Sequence, residues 1–339
     1  MSKKNSSVNL RNGFKDFKDI SNSFNNFKKK LKNLKHKSCV VAVSGGPDSL
    51  ALVALTKAYN FERGLKFYYV LVNHNIRKNS AYESKEVKKL LKDHQIHLHL
   101  LSNKKKIEKN IQANARDIRY DLLKKFCYQK KTRVILTAHN LEDQVETFFI
   151  RLSRGSGLTG LSSMMPLTRL NGNIKLYRPL LDTKKKLLIK ITKTVFGKYF
   201  KDPSNLNKKY LRSKIRKLAK PLQKSGINYD QIIKSINNLA VSKATLEDLI
   251  QQIIEETIKI SNKEVVIKTN KFYSYNLEIK RRIINESIKI TKKNYYNPRS
   301  KKVINLIKKL ENKDFKKATL GGCIFYKKNE GICLKKEKK

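Results

Sequence analysis

Two short stretches of this 339-residue chain carry residue types arranged for chemistry. The first, Ser44-Gly45-Gly46-Pro47-Asp48-Ser49, follows the apolar run Cys39 to Val43 and leads into a helix-like stretch. Two glycines let the backbone approach an anion closely, a helix N-terminus presents free N–H groups, and Ser44 and Ser49 add hydroxyl donors, so phosphate is the natural occupant. The Lys of a G-x-x-x-x-G-K-[ST] loop is absent, and Asp48 stands where a divalent ion would help to neutralise phosphate. The same letters also describe a glycine-rich turn capped by Ser and Asp. The second stretch runs from Thr137 through His139, Asn140, Glu142, Asp143 and Glu146 to Thr147. Asp143 and Glu146 are three apart and share one helical face, where paired carboxylates can grip an ammonium ion or a metal. Alternatively, Asn140 caps the helix and Asp143 simply favours its first turn. His139 is either a reactive group or a core histidine satisfied by backbone.

These groups need a scaffold that delivers them to one place. The runs Cys39 to Val43, Phe67 to Val72, Ile96 to Leu101 and Val134 to Thr137 read as strands. Between them, Pro47 to Tyr59, Ala81 to Asp93 and Ile111 to Tyr128 carry helical periodicity. Strand, helix, strand repeated in this way predicts an α/β fold, a doubly wound parallel sheet with right-handed crossovers and both faces covered. Ligands of such sheets bind beyond the strand C-termini, where both chemical stretches fall. Upstream, Phe14, Phe17, Phe24, Phe27 and Leu31 are spaced for an amphipathic helix. After Leu181 the strand signal fades: Lys184 to Phe196, Lys208 to Leu218 and Tyr229 to Ile260 read as helices around the turn Asp202-Pro203-Ser204-Asn205. Ala318 to Lys335 alternates through Gly321-Gly322 and Asn329-Glu330-Gly331 as a small β-hairpin unit.

Charge adds a boundary and a partner. With 77 Lys plus Arg against 27 Asp plus Glu, the formal charge is +50. A compact chain tolerates such self-repulsion best beside a polyanion, nucleic acid first. A bias towards Lys, Asn and Ile would also raise the charge, but residues 221 to 270 hold 6 basic and 6 acidic side chains whereas 271 to 339 hold 21 and 6. Uniform bias does not spare fifty residues. The expected division is a basic N-terminal extension (1–36), the α/β domain (37–220), a helical linker domain (221–270) and a basic C-terminal module (271–339). Within that module, Arg281, Arg282 and the segment Lys301 to Lys309 are phosphate contacts or plain surface. No run approaches the roughly 18 to 20 apolar residues that cross a bilayer, and the start lacks an apolar signal region, so neither secretion nor a membrane span is expected. Cys39, Cys127, Cys323 and Cys333 form no C-x-x-C pair and read as reduced thiols in a cytoplasmic protein.

The phosphate loop resembles that of the N-type ATP pyrophosphatases, which reads S-G-G-x-D-S at this sheet position; that family cleaves ATP between the α and β phosphates. Further stretches narrow the resemblance to the tRNA(Ile)-lysidine synthetases, because they match in order. They are Asn73-His74-Asn75-Ile76-Arg77 with Ser80 and Glu83, Ala115-Arg116-Asp117-Ile118-Arg119-Tyr120, the segment Arg151-Leu152-Ser153-Arg154 to Leu161, and Arg178-Pro179-Leu180. Asp202 to Asn205 with Tyr210, Arg212, Ile215 and Arg216, and late in the chain Ala318 to Cys323, continue the match. Two departures stand out: Glu142 where members often carry Asp, and Ser213 where Asn is common.

The resemblance implies an adenine nucleotide alpha hydrolase-like fold and a ligase that forms a carbon–nitrogen bond. Free L-lysine would be joined to C2 of the wobble cytidine of a CAU-anticodon tRNA(Ile), through an adenylated cytidine, with ATP as co-substrate and Mg²⁺ at Asp48. It implies that Ser44, Gly45, Gly46, Pro47, Asp48 and Ser49 hold the nucleotide phosphates. Asp143 and Glu146 would hold the lysine amine, and one of them or His139 would take its proton. Arg116 is promoted from plain helix surface by its family position, to meet phosphate or the charge that grows during adenylation. Arg151, Arg154, Arg212 and Arg216 would meet tRNA phosphates. The leading helix would touch tRNA or pack on the core, and a homodimer stays open as an assembly. A sulfur-inserting tRNA enzyme of the same superfamily, which would lean on catalytic cysteines, and a basic RNA-binding protein without catalysis are the rival readings.

Overall fold

The computed structural model describes residues 14, 17–34, 36–63, 65–76, 79–103, 111–170, 173–200, 211–260, 264–292, 298–312, 314–328 and 331–337. Expectations placed on residues 1 to 13, Arg77, Asp202 to Asn205, Lys208 to Tyr210 and Asn329-Glu330 lie outside them. The chain divides into two compact units, residues 1–240 and 241–339.

The first unit opens with helix α1 (Lys18–Lys32), whose Ile20, Phe24, Phe27 and Leu31 form one buried stripe. That stripe joins the core of the α/β domain, so the leading helix packs on the core. Phe14 is buried beside Phe24, with ring centroids 5.4 Å apart. Phe17 leaves the expected stripe; it stands at the N-cap and is exposed, with the Lys190 ammonium 4.6 Å from its ring. Then follow β1 (Ser38–Val43), α2 (Pro47–Arg63), β2 (Lys66–Asn73), α3 (Ser80–Asp93), β3 (Leu98–Ser102), α4 (Ile111–Gln129) and β4 (Val134–Leu136). The expected alternation is there to within a few residues.

Beyond it lie α5 (Leu141–Leu152), the short α6 (Leu158–Leu161), β5 (Leu167–Arg169), β6 (Lys175–Tyr177), α7 (Lys185–Phe196), α8 (Leu211–Lys217) and α9 (Ala219–Lys224). The six strands are ordered β3-β2-β1-β4-β6-β5, all neighbours parallel except the edge pair β5–β6. β1 is nearly continuous in apolar residues because helices cover both its faces. Cys39, Val41 and Val43 point into the core shared with α1, α2 and α7, while Val40 points into a second cluster with Leu123, Phe126 and Cys127 of α4. The order reverses at β1: the chain proceeds to β2 on one side and returns to β4 on the other. A crevice opens at the C-terminal ends of that pair, so the segments after β1 and after β4 become neighbours.

The unit boundary falls within the long helix α10 (Tyr229–Thr257). The second unit continues with β7 (Ile258–Ile260), β8 (Val265–Lys268), α11 (Thr269–Ser274), α12 (Leu277–Thr291), α13 (Ser300–Glu311), β9 (Lys317–Leu320), β10 (Cys323–Lys328) and β11 (Gly331–Lys336). Its antiparallel sheet runs β7-β8-β11-β10-β9 over a core of Ile283, Ile284, Ile288, Val303, Ile307, Phe325 and Leu334. Gly321 and Gly322, both at positive φ (64° and 75°), make the turn from β9 to β10, as the paired glycines promise. One expectation is corrected here. Ile258 to Ile260 is a strand rather than the last helical turn, because Ile258, although it keeps the four-residue spacing of Ile250 and Ile254, pairs with Ile267. Among the described residues no helix is long and apolar enough to cross a membrane.

Candidate active site

The Ser44 to Ser49 loop is built from its own hydrogen bonds. Ser49 Oγ accepts from Ser44 N–H and from Ser44 Oγ, both at 3.1 Å, and donates to the Gly46 carbonyl at 3.0 Å. Gly45 sits at φ +79°, and a Cβ there would meet Val87 Cγ2 at 2.5 Å, so both conformation and space demand glycine. The loop is fastened from α7 and the residues after it: Thr192 Oγ1 donates to the Pro47 carbonyl at 2.6 Å, and Phe200 N–H to the Gly45 carbonyl at 3.0 Å.

Asp48 opens α2 with one carboxylate oxygen, Oδ2, 3.5 Å from Lys185 Nζ. The other, Oδ1, is buried and has no hydrogen-bond partner. Burial raises the Asp48 carboxyl above the ordinary carboxylate range; Lys185 opposes that shift and the Asp143 charge adds to it. Oxygen with an unused lone pair in a phosphate-binding loop suits a hard cation, so the residues present fit Mg²⁺.

The carboxylate helix α5 begins with a capping box. Asn140 Oδ1 accepts from Asp143 N–H at 2.9 Å, and Asp143 Oδ2 accepts from Asn140 N–H at 3.2 Å. Asp143 therefore has a structural task as well as a place at the crevice. Glu142 turns to α7: its Oε2 accepts from Lys185 N–H at 2.9 Å, capping that helix, a reach that the extra methylene over Asp supplies. Glu146 is only 3 % exposed and is clasped by α8. Arg216 donates from Nε to Oε1 at 2.5 Å and from Nη2 to Oε2 at 3.2 Å, and Arg212 pairs with Oε2 at 3.1 Å. Burial pushes the Glu146 carboxyl upward and the Arg216 guanidinium opposes it; the two-point geometry keeps the pair ionic.

His139 lies between these groups, Nδ1 at 2.9 Å from Thr137 Oγ1. Burial first, then the charges of Arg178, Arg119, Arg116 and Arg212, pull its pKa down to about 3, so the ring is neutral at physiological pH. The smaller, charge-borne part of that fall comes from the four arginines that face the ring. Arg116 and Arg119 lie over the Tyr120 ring, 5.1 and 5.2 Å from its centroid. Arg178 is buried, donating from Nη1 to the Met165 carbonyl and Thr168 Oγ1 at 2.7 and 2.8 Å. Arg151 donates to the Gly160 and Ser163 carbonyls at 2.6 and 2.9 Å and so shapes the loop after α5, while Arg154 is exposed beside it. Asp48, Glu142, Asp143, Glu146 and His139 thus come to one crevice, with arginines from four segments around them. Lys185 and Arg178 belong to it and were not among the expected site residues. Arg178 stood in a matching motif with no reactive partner in sequence, and Lys185 was one lysine among many.

The sequence model of the PP-loop domain matches residues 20–222. A tRNA(Ile)-lysidine synthase of Wolbachia pipientis wMel is 32% identical over 302 residues, 88% of this chain and 70% of that protein. The chain belongs to the tRNA(Ile)-lysidine synthase family. A second lysidine synthase, from Bradyrhizobium diazoefficiens, is 38% identical over 213 residues, 62% of this chain and 59% of that protein. A U34-tRNA thiolase from Methanococcus maripaludis, solved with its [4Fe-4S] cluster, superposes with a TM-score of 0.56 at 19% identity, over 65% of this chain and 78% of its own, a likeness of fold. The cysteines of this lysidine synthase family member do not resemble reactive ones: all four are buried, and burial pushes the Cys39 and Cys127 thiols up to about 12.

Proposed function

We propose that the chain ligates L-lysine to C2 of the wobble cytidine in a CAU-anticodon isoleucine tRNA, consuming ATP and releasing AMP and pyrophosphate. The observation that carries the reading is the meeting of a phosphate loop, an acidic helix and an arginine cluster at one reversal of strand order, in a chain of the lysidine synthase family.

The Ser44 to Ser49 loop receives the phosphates that leave as pyrophosphate, with serine hydroxyls and the first amides of α2 as donors. Asp48 would hold Mg²⁺ through its unpartnered Oδ1. When bound, the ion neutralises triphosphate charge. Cytidine O2 attacks the α-phosphorus and the bond to the pyrophosphate oxygen breaks. The lysine ε-amine, having lost its proton, then attacks C2, and O2 departs with AMP. Arg116 and Arg178 meet the charge that builds at the α-phosphate, where fixed guanidiniums act without reorganising. The cytidine must leave its stack, a small cost in a single-stranded loop.

The amine arrives as ammonium, its ordinary pKa being about 10.4. His139, held near 3, is a poor acceptor for that proton, which leaves Asp143 and Glu146 to receive the ammonium. Because Arg216 and Arg212 already hold both oxygens of Glu146, lysine must share or displace a guanidinium there. Arg154 is free to meet tRNA phosphate on the exposed loop that Arg151 shapes.

The test is AMP release from ATP with labelled lysine and an unmodified CAU isoleucine tRNA, against the same tRNA carrying a wobble uridine. Label in the cytidine tRNA alone, one per AMP, is the expected result. AMP without incorporated lysine would leave adenylation standing and remove lysine as the nucleophile.

A further inference from the structure

His94, the residue that follows α3, ties together two helices that the chain makes far apart. Its Nδ1 lies 2.9 Å from the Leu90 carbonyl oxygen, and its Nε2 lies 3.0 Å from the carbonyl oxygen of Val195, 101 residues further along. The ring also stands edge-on to Phe196, with centroids 4.9 Å apart. Leu90 and Val195 each fall within the last four residues of their helices, α3 and α7, where carbonyls have no partner inside the helix. Carbonyl oxygens only accept, so the ring is the donor, and with a proton on both nitrogens it serves both helix ends at once. The dipole favours a cation at a helix C-terminus, and two such ends meet at this ring.

Capping of α3 does not account for the arrangement, because a cap needs one carbonyl and the second belongs to α7. What the two tied helices share is the phosphate loop. On α3, Val87 precedes His94 by seven residues and so lies on the same helical face, and its Cγ2 is 2.5 Å from the point where a Cβ on Gly45 would stand. Beyond the end of α7, Phe200 donates its N–H to the Gly45 carbonyl at 3.0 Å, and its ring atom Cδ2 is 3.4 Å from that same point. Gly45 therefore sits in a gap with α3 on one side and the continuation of α7 on the other. The turn of α7 that His94 holds also carries Thr192, which donates to the Pro47 carbonyl at 2.6 Å.

We propose that His94 is a positioning residue for the phosphate loop: it bolts the end of α3 to the end of α7 and so fixes the gap between Val87 and Phe200 in which Gly45 sits. The inference rests on the nucleotide-binding part of the proposed function and adds to it a residue that acts through others, about 10 Å along α3 from Val87. Without the bolt the two walls of Gly45 move apart more freely, and the loop spends less time in the shape that receives pyrophosphate oxygens.

The experiment measures binding of inorganic pyrophosphate with Mg²⁺ to the full-length chain by calorimetry at pH 6, inside the range where histidine takes up its second proton. His94→Phe keeps a ring against Phe196 and removes both hydrogen bonds, whereas His94→Gln offers two amide hydrogens to the same two carbonyls. Ile283→Val, in the core of the second unit, is a control that lowers stability at a distance from this contact. We expect His94→Phe to weaken pyrophosphate binding about three- to tenfold, the range that one ordinary hydrogen bond commands, and to raise the ATP KM by a similar factor with kcat within about twofold. His94→Gln should return to within about twofold of wild type, and the control should stay there. Wild-type affinity in a folded His94→Phe chain overturns the proposal, as does a His94→Gln chain as weak as His94→Phe, or an equal loss in the control. Should His94→Phe fail to fold, His94→Asn, long enough for Leu90 and too short for Val195, takes its place with the same expected loss. Wild type that binds pyrophosphate and incorporates no lysine removes the proposed reaction and leaves His94 in this role; wild type that binds no pyrophosphate overturns this inference.

Discussion

Asp48→Asn is expected to stabilise the protein while disabling it. In the folded chain Asp48 is a largely buried carboxylate with one unpartnered oxygen, and burial raises its pKa above the ordinary 3.8. A group raised on folding contributes its stability below the unfolded pKa and loses it as pH rises through the folded value, so near neutrality the charge weakens the fold. Asparagine removes that charge. Removing the charge from a largely buried carboxylate is worth about 1 to 3 kcal/mol, and loss of the 3.5 Å attraction to partly exposed Lys185 costs about 0 to 1 kcal/mol. The net gain of about 1 kcal/mol corresponds to roughly 2 to 4 °C in melting temperature for a unit of this size. Scanning calorimetry of both proteins from pH 8 downward gives the curve, and the gap should close on acidification, as pH falls from the raised folded value of Asp48 to the ordinary 3.8 of the unfolded chain. AMP formation should fall by a factor of about 100 or more, near 2.7 kcal/mol of lost transition-state stabilisation. Mg²⁺ with ATP should raise the melting temperature of wild type and not of the variant. A variant that melts lower than wild type at neutral pH, or a gap that widens on acidification, would show that Asp48 is a structural ion pair and would remove the argument for cation binding.

Further expectations follow from the same crevice and its support. Glu146→Gln strips Arg216 and Arg212 of a carboxylate; because both guanidiniums reach solvent, the loss is about 2 kcal/mol, short of a fully buried pair, and thermal melting should register it together with a raised lysine KM. His139→Gln should lower kcat yet leave the pH–rate profile between about pH 6 and 8 unchanged in shape, since a group at about 3 does not titrate there; disappearance of a limb would restore His139 as the base. Gly45→Ala places a Cβ 2.5 Å from Val87 Cγ2 at positive φ, costing about 2 to 4 kcal/mol, and a double-mutant cycle with Val87→Ala should show coupling. Phe27→Ala empties a fully buried site in α1 and should cost about 3 to 5 kcal/mol in urea unfolding; a loss under about 1 would mean that α1 is not part of the core.

The scaffold around the crevice could be read from sequence wherever periodicity ran long enough. Cys39 to Val43 and Phe67 to Val72 are apolar because both sheet faces are covered, and the loop after the first of them announced its purpose through two glycines and two serines. Leu167 to Arg169 and Lys175 to Tyr177 were not legible, since three residues cannot establish a period of two. The charges of the site divide in the same way. Asp143 and Glu146 could be placed on one face by counting, but the clasp of Arg216 on Glu146 spans 70 residues and exists only in the tertiary fold. Lys185 and Arg178 were hidden for the opposite reason, one by an abundance of lysine, the other because its partners are backbone carbonyls and hydroxyls that no spacing rule reveals.

The fastening of the phosphate loop from α7 has a consequence in time. Thr192 and Phe200 hold the carbonyls of Pro47 and Gly45, so the loop, although made early, acquires its final shape only after the chain as far as residue 200 exists. At about 5 to 20 residues per second, synthesis leaves a gap of roughly 8 to 30 s between the two events. During that interval a nascent chain presents Ser44 to Ser49 without their anchors. Translation pauses between residues 49 and 200 prolong the unanchored interval, whereas earlier and later pauses do not.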